Sequence, residues 1–321
     1  MTASATSSPF AKHLVKGLNA HQAFISSRFI YDERGSKLFQ QIMQLEEYYL
    51  TRSEHEILAA SAITLHKRFS HNNTEQYELI ELGAGDGAKT KLLLAEAVLA
   101  GAKLVYRPVD ISPEILEELS KDLAQRWPQL QVDPIAASYD DALKLLRKPN
   151  EQRRAVLFLG SNIGNFSLPE ARKFCRTVGE SLQTGDLFLI GVDLRKDPRK
   201  ILSAYDDSTG VTAQFNLNLL HRANRDVGAN FNVDAWGFYP LYNPETGEVR
   251  SYLYPRSEQR VQIPQLEIDR TFLVGDTIHT EVSRKYSRAE LDSLANAAGF
   301  DNEEVFTDSA GNFADALWVK Q

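Results

Sequence analysis

Gly83, Gly85 and Gly87 recur at two-residue spacing after the apolar run 77–82 and lead into Lys89 and Thr90, where a helical pattern takes over. Glycines so placed allow backbone conformations that a Cβ discourages, and they let a ligand approach the main chain. The N–H groups of a helix starting just beyond such a turn point at that ligand. Strand, glycine turn and helix in this order make a nucleotide-type cofactor site, and the residues inside the turn discriminate among ligands. From Gly83 to Thr90 the chain matches a P-loop except for Ala88, which stands where the glycine before the lysine belongs. Against a polyphosphate, Asp86 puts negative charge into a loop that would have to cradle phosphates. A dinucleotide turn needs G-x-G-x-x-G, and here the third glycine arrives one residue early, at Gly87. Asp110, at the end of the next apolar run, is placed to accept both hydroxyls of a ribose.

The segment Glu81-Leu-Gly-Ala-Gly-Asp-Gly87 resembles the first motif of class I S-adenosylmethionine-dependent methyltransferases, E-x-G-x-G-x-G with an acid ending the following strand. That ligand carries no phosphate, which suits Asp86. An NTPase or a dehydrogenase stays open on the turn alone.

Other chemistries find little support. The seven histidines, at 13, 21, 55, 66, 71, 221 and 279, form no i, i+4 pair and stand in no ligand spacing with the single Cys175, so no metal site is expected. A serine nucleophile elbow is absent as well, because Gly160-Ser-Asn-Ile-Gly164 has Asn162 at its centre. The net charge of −7, without a long basic run, excludes the electrostatic footprint of a nucleic-acid binder and favours a small-molecule substrate. No apolar run of about 18 residues and no signal-peptide pattern occurs, so neither a membrane partner nor export is expected. One cysteine forms no internal disulfide, which points to the cytoplasm. The sequence leaves the oligomeric state open, and a monomer is compatible with it.

The elements that must hold these residues can be read from periodicity. Strands are expected at 77–82, 103–109, 130–135, 153–160 and 186–194, and helices at about 87–100, 113–126, 139–147 and 168–182. Alternation of this kind gives a parallel sheet, with Asp110, the glycine turn and the 160–165 loop all at its carboxyl edge. After Lys196 the pattern changes to a helical stretch, 198–224, broken near Asp206-Asp207-Ser-Thr-Gly210. Strands follow on either side of a turn marked by Pro244 and Gly247, then at 259–263 and 277–284. Ser287-Arg-Ala-Glu290 reads as a capping box opening a helix that ends before Gly299, and strands at 303–307 and 315–319 return to the sheet. The expected architecture is α/β. A Rossmann-like class I methyltransferase sheet (63–195 and 287–321) carries a smaller α+β lobe made of an insertion (196–286) together with the N-terminal helices (1–62).

Six blocks in order give a more specific resemblance: Phe29-Ile-Tyr-Asp-Glu-Arg-Gly-Ser36, Glu47-Tyr-Tyr-Leu-Thr-Arg52, Glu81–Gly85, Phe158–Asn165, Ala204-Tyr-Asp-Asp207 and Thr280-Glu-Val-Ser283. They resemble the L-histidine N-alpha-methyltransferase family of ergothioneine biosynthesis. The resemblance implies S-adenosylmethionine as cofactor and trimethylation of the alpha-amino nitrogen of free histidine to hercynine. By position it assigns Tyr31, Gly83, Gly85, Lys89 and Asp110 to the cofactor, with Ser138 and Tyr139 at the adenine, where the family often has an acid followed by an aromatic. It assigns Tyr48, Asn165 and Tyr205 to the substrate amine and carboxylate, and Glu281 and Ser283 to the imidazole. Beside Tyr252 the family carries a methionine against the imidazole where this chain has Ser251, so another free amino acid, tryptophan among them, is the alternative substrate.

The chemistry implied is one of alignment, since a sulfonium methyl is already activated. Tyr48 is expected to orient the amine rather than to act as base, because a phenol of ordinary pKa, about 10, is a poor base at neutral pH.

Overall fold

In the computed structural model, which describes residues 7–71, 76–148 and 151–321, the first helix, α1 (Pro9–Leu18), begins where the Ser8 hydroxyl accepts the Ala11 N–H at 3.1 Å. Proline at its first position suits a turn whose N–H groups have no intrahelical partner. The short strand β1 (Ala23–Phe24) follows, and then α2 (Glu33–Ile42), capped by Asp32, which accepts the Gly35 N–H at 2.8 Å.

The long α3 (Leu50–Phe69) buries Leu50, Glu54, Ile57, Leu58, Ser61 and Leu65, a stripe at three- and four-residue spacing. Next come β2 (Tyr77–Leu82), α4 (Thr90–Leu99), β3 (Leu104–Asp110), α5 (Pro113–Arg126), β4 (Gln131–Val132), β5 (Ile135–Ala136), α6 (Tyr139–Leu146), β6 (Arg153–Phe158), α7 (Leu168–Ser181) and β7 (Leu187–Asp193). The expected strand at 130–135 is two short pieces, because Pro134 between them has no N–H to give a ladder. The helix expected from 87 starts at Thr90, since Gly83, Gly85 and Gly87 hold φ of 79°, 53° and 64° and keep the turn irregular.

The chain then forms α8 (Pro198–Ser203), α9 (Val211–Val227), β8 (Trp236–Asn243), β9 (Glu248–Pro255), β10 (Gln259–Ile263), β11 (Ile268–Phe272) and β12 (Ile278–Arg284). Asp207 makes the break between the two helices by accepting the N–H groups of Val211 and Thr212 at 2.9 and 2.7 Å. The last elements are α10 (Arg288–Ala297), β13 (Phe300–Thr307) and β14 (Phe313–Lys320), with the capping box of Ser287 and Glu290 formed as the sequence predicts.

Two compact units result: Met1–Tyr49 with Lys196–Ser283, and Leu50–Arg195 with Arg284–Gln321. The boundary expected at 62 falls inside α3, all of which belongs to the second, larger unit. An eight-stranded sheet runs through that unit in the order β13-β14-β7-β6-β2-β3-β4, with β5 also paired to β3. The central strands are parallel, and β14 is antiparallel to both neighbours. Every residue of β2 and β7 is buried, as expected for strands covered on both faces. One face packs Ile80 and Leu82 with Phe174, Val178 and Leu291, and the other packs Leu79 with Leu58, Leu65, Leu93 and Leu123. From β2 the chain steps to β3 and β4 on one side and returns to β6 on the other, so the crevice where ligands bind such sheets lies at the carboxyl end of β2.

The smaller unit has a four-stranded sheet, β1-β12-β9-β8, and the hairpin β10-β11, which the sequence reading divided differently by leaving β11 unassigned. Phe215, Leu219 and Leu220 of α9 pack on Trp236, Leu253 and Ile278 of the sheet, and α1 and α2 add Leu14, Leu18, Leu38 and Ile42.

Candidate active site

Within the larger unit the glycine turn is fastened to the end of β3. The N–H groups of Gly83 and Ala84 donate to the Val109 carbonyl at 2.8 and 3.0 Å. Asp110, half-buried, has its carboxylate aimed by two backbone donors, Gly85 N–H to Oδ2 at 3.2 Å and Ser112 N–H to Oδ1 at 3.1 Å. Each oxygen keeps a lone pair for a further donor, which is what paired ribose hydroxyls require. A Cβ added at Gly85 would meet nothing within 4 Å, so the backbone there is open for a ligand to approach. Ile111, next to Asp110, is 78% exposed and offers an apolar surface beside that carboxylate, which the sequence reading passed over.

Gly83 is crowded instead, since a Cβ there would lie 2.6 Å from the Tyr139 hydroxyl. The Tyr139 ring meets Phe158 edge-on at 5.4 Å, and its phenol is pushed up to about 12 by burial and then by the charges of Asp110 and Glu81. So the structure brings Gly83, Gly85, Asp110 and Tyr139 together. Ser138 has a local task beside the one the resemblance gives it. Its hydroxyl caps α6, accepting the Asp141 N–H at 3.2 Å and donating to Asp141 Oδ2 at 2.7 Å. The spacing Ser138-Tyr-Asp-Asp141 is a local capping signal that was legible in the sequence.

Lys89 is no solvated first-turn lysine: its ammonium pairs with the Glu54 carboxylate, which is 1% exposed. Burial works against the Lys89 charge, but the charge and hydrogen bond of Glu54 outweigh it and hold the ammonium above its ordinary range. Glu54 Oε1 also accepts the Gly160 N–H at 2.7 Å, so one carboxylate from α3 reaches two loops at the carboxyl edge. Glu81, fully buried below the turn, accepts from Thr90 Oγ1 at 2.6 Å and from the Tyr106 hydroxyl. Burial pushes its carboxyl up to about 7, against the pull of those two hydrogen bonds. Sequence reasoning missed Glu54, although an acid on the buried stripe of α3 is the signal that marks it.

After β6, Gly160 and Ser161 take left-handed conformations with φ of 80° and 55°, and a 3₁₀ turn spans Asn162–Asn165. Asn162 donates to the Leu159 carbonyl at 2.8 Å and serves the loop, whereas Asn165 is exposed at its end.

The smaller unit carries Tyr31, Tyr48, Tyr205, Glu281 and Ser283. Tyr205, buried, donates to Ser283 Oγ at 2.7 Å. On β12 Thr280 donates to Asn216 Oδ1 at 2.9 Å on the α9 side, so alternation sends Glu281 and Ser283 to the other face. That is the face on which the Tyr252 ring meets His279, at 5.3 Å. Ser251, beside Tyr252, lies on the α9 side, 1% exposed, with its carbonyl accepting from Thr280 at 3.2 Å. Tyr31 and Tyr48 join through Phe39, with ring centroids 5.5 and 6.2 Å from it, and Phe215 closes on Tyr31 at 5.4 Å.

A sheet with parallel central strands in this order, an open glycine turn after β2 and an acid at the end of β3 aimed by two backbone amides mark a class I S-adenosylmethionine-dependent methyltransferase. The donor set fits that cofactor: open backbone at Gly85, an aimed carboxylate at Asp110 and an ammonium at Lys89. Among solved structures, that of the mitomycin 7-O-methyltransferase MmcR is 11% identical and superposes over 99% of this chain and 70% of its own with a TM-score of 0.51, a likeness of fold. The family described as histidine-specific, SAM-dependent methyltransferases matches residues 10–320, and the chain belongs to it. It is 33% identical to the histidine N-alpha-methyltransferase of Mycolicibacterium smegmatis over 95% of this chain and 92% of that one. To the histidine N-alpha-methyltransferase of Mycobacterium tuberculosis it is 31% identical, over 96% and 94% of the two chains.

Proposed function

We propose that this enzyme trimethylates the alpha-amino group of free L-histidine to hercynine, a step of ergothioneine biosynthesis. The observation that carries the substrate is on β12, where Glu281 and Ser283 share a face and Tyr205 holds the Ser283 hydroxyl at 2.7 Å. A carboxylate accepts from one ring N–H of imidazole and a hydroxyl serves the other nitrogen. Tyr48, Asn165 and Tyr205 are assigned to the amine and carboxylate of the amino acid.

S-adenosylmethionine supplies, when bound, a methyl on a sulfonium sulfur. Asp110 takes the ribose hydroxyls, Lys89 the methionine carboxylate, and the open backbone at Gly85 admits the ligand, with Gly83 packed under Tyr139 beside it. Tyr31 adds a hydroxyl and a ring face, and Tyr139 with Ile111 flanks the adenine. Ser138 keeps an unused lone pair for the adenine amine beyond its capping contacts. The protein's part in the transfer is to hold an uncharged amine in line, which Tyr48 does by hydrogen bonding. The rings of Tyr31, Phe39, Tyr48 and Phe215 suit the cation that accumulates as methyl groups are added. The buried, single Cys175 agrees with action in the cytoplasm. Among the described residues no helix is long and apolar enough to cross a membrane.

A second reading, methylation of another free amino acid such as tryptophan, starts from Ser251 standing where the family carries a methionine; the place of Ser251 on the α9 side, away from Glu281 and Ser283, favours histidine. Incubation with S-adenosylmethionine and each of the twenty amino acids, followed by mass spectrometry, separates the two. Three added methyl groups on histidine are expected; no methylated histidine beside a methylated competitor would replace the first reading by the second.

A further inference from the structure

Two buried carboxyls beside Lys89, those of Glu54 and Asp315, have no part in the chemistry above. Glu54 comes from α3, Lys89 from the start of α4 and Asp315 from β14, and both Glu54 and Asp315 are at most 1% exposed. Neither carboxyl oxygen of Asp315 has a hydrogen-bond partner among the described residues. A Cβ added at Gly191 would lie 2.1 Å from Glu54 Oε1 and 3.0 Å from Asp315 Oδ1, so the two carboxyls crowd over the same glycine of β7. Glu54 spends both oxygens on the carboxyl edge of the sheet, one on the Gly160 amide at 2.7 Å and the other on the Lys89 ammonium. The Lys89 side chain is 26% exposed where its partner is 1% exposed, which puts the ammonium between a buried acid and the surface.

We propose that Glu54 is a positioning residue for the methionine end of the cofactor: it pins the Lys89 ammonium and the Gly160 loop, and Asp315 backs it as a neutral, protonated carboxyl. This rests on the assignment of Lys89 to the cofactor carboxylate.

Charge balance supports the neutral partner. Glu54, Glu81 and Asp315 are three carboxyls facing one ammonium, and all three ionised would bury two uncompensated negative charges. Burial, and then the charge of Glu54, hold the Asp315 carboxyl far above its ordinary range, with Lys89 pulling the other way. An ammonium has three donors, so Lys89 can keep Glu54 and still meet a carboxylate arriving from the open side. Pinning removes the side-chain freedom that a lysine would otherwise lose on binding.

The test is a double-substitution cycle read by calorimetric binding of S-adenosylhomocysteine, with thermal unfolding and the KM for histidine followed in parallel. Lys89→Met is expected to weaken binding roughly tenfold or more, the loss of a charge-assisted contact. Glu54→Gln is expected to weaken it about fivefold in the parent and not at all in the Lys89→Met background, with the histidine KM nearly unchanged. Asp315→Asn, which mimics a protonated carboxyl, should bind within about twofold of the parent. If Lys89→Met binds normally, the assignment of Lys89 falls and the inference with it. If Lys89→Met binds weakly but Glu54→Gln binds normally or tighter, or weakens binding equally in both backgrounds, only the inference falls. A large loss in Asp315→Asn overturns the protonated partner. Should Glu54→Gln not fold, Glu54→Asp keeps the charge but draws it back by one methylene, and unchanged binding there would reject the positioning role.

Discussion

The Tyr205 hydroxyl donates to Ser283 Oγ at 2.7 Å, joining residues 78 positions apart, one just after α8 and the other near the end of β12. Both side chains are buried, at 7% and 5% exposure, so removing either partner leaves the other short of a hydrogen bond in a dry place. Such a loss costs about 1–3 kcal/mol. Tyr205→Phe and Ser283→Ala are each expected to lower kcat/KM for histidine roughly tenfold or more, and the double variant to lose clearly less than the product of the two. Steady-state kinetics on the four proteins measures the coupling. Strictly multiplicative losses would mean that the pair does not act as a unit toward the substrate.

Asp110 and Glu281 should separate the two ligands. Asp110 is aimed by the Gly85 and Ser112 N–H groups, and its replacement by alanine removes the charged acceptor for the ribose. The expected effect on S-adenosylhomocysteine binding is a weakening of about 10- to 100-fold, the range for hydrogen bonds to a charged group. Glu281→Ala should leave that affinity intact and raise the KM for histidine. Calorimetry with the cofactor product and kinetics with histidine read the two effects; a comparable loss of cofactor affinity in both variants would count against the division of labour.

Local signals made much of this legible. The glycine turn and the acid ending β3 lie within 28 residues of one another and depend on neighbours in the chain, from Gly83 to Asp110. Ser287 with Glu290, and Pro244 with Gly247, likewise announce a helix start and a turn by short-range geometry. What sequence did not reveal depends on distant partners. Glu54 matters through Gly160, 106 positions away, and through Lys89, 35 positions away. No period or spacing pairs them. Ser138 shows the converse, a residue assigned by resemblance to a ligand whose hydroxyl the local backbone already uses.

Gly83 and Gly85 both have positive φ, yet alanine should act differently at each. At Gly85 a Cβ meets open space, so Gly85→Ala costs the folded protein only the left-handed strain, on the order of 1 kcal/mol. It should nevertheless block close approach of the cofactor and weaken binding strongly. At Gly83 the Cβ would sit 2.6 Å from the Tyr139 hydroxyl, so Gly83→Ala must also displace that ring and should lower the melting temperature more than Gly85→Ala does. Differential scanning calorimetry and cofactor titration of both variants test the contrast, and equal melting temperatures would show that Tyr139 moves without cost.

Glu81 predicts how stability depends on pH. Burial raises its carboxyl from 4.5 to about 7, opposed by the hydrogen bonds from Thr90 and Tyr106. Between those values the folded protein keeps a proton that the unfolded chain releases. Stability associated with Glu81 is therefore complete below about pH 4.5, declines as pH rises toward 7, and levels off above it. The decline amounts to on the order of 3 kcal/mol over the whole window. Asp315, raised by burial and by the Glu54 charge, adds a change of the same sign as its own carboxyl titrates. Glu81→Gln cannot ionise, so urea titrations of parent and variant between pH 4.5 and 8 should show the parent losing stability relative to the variant as pH rises. Curves that stay parallel throughout would mean that Glu81 is charged in the folded protein at neutral pH, and that the cluster under the glycine turn is balanced in some other way.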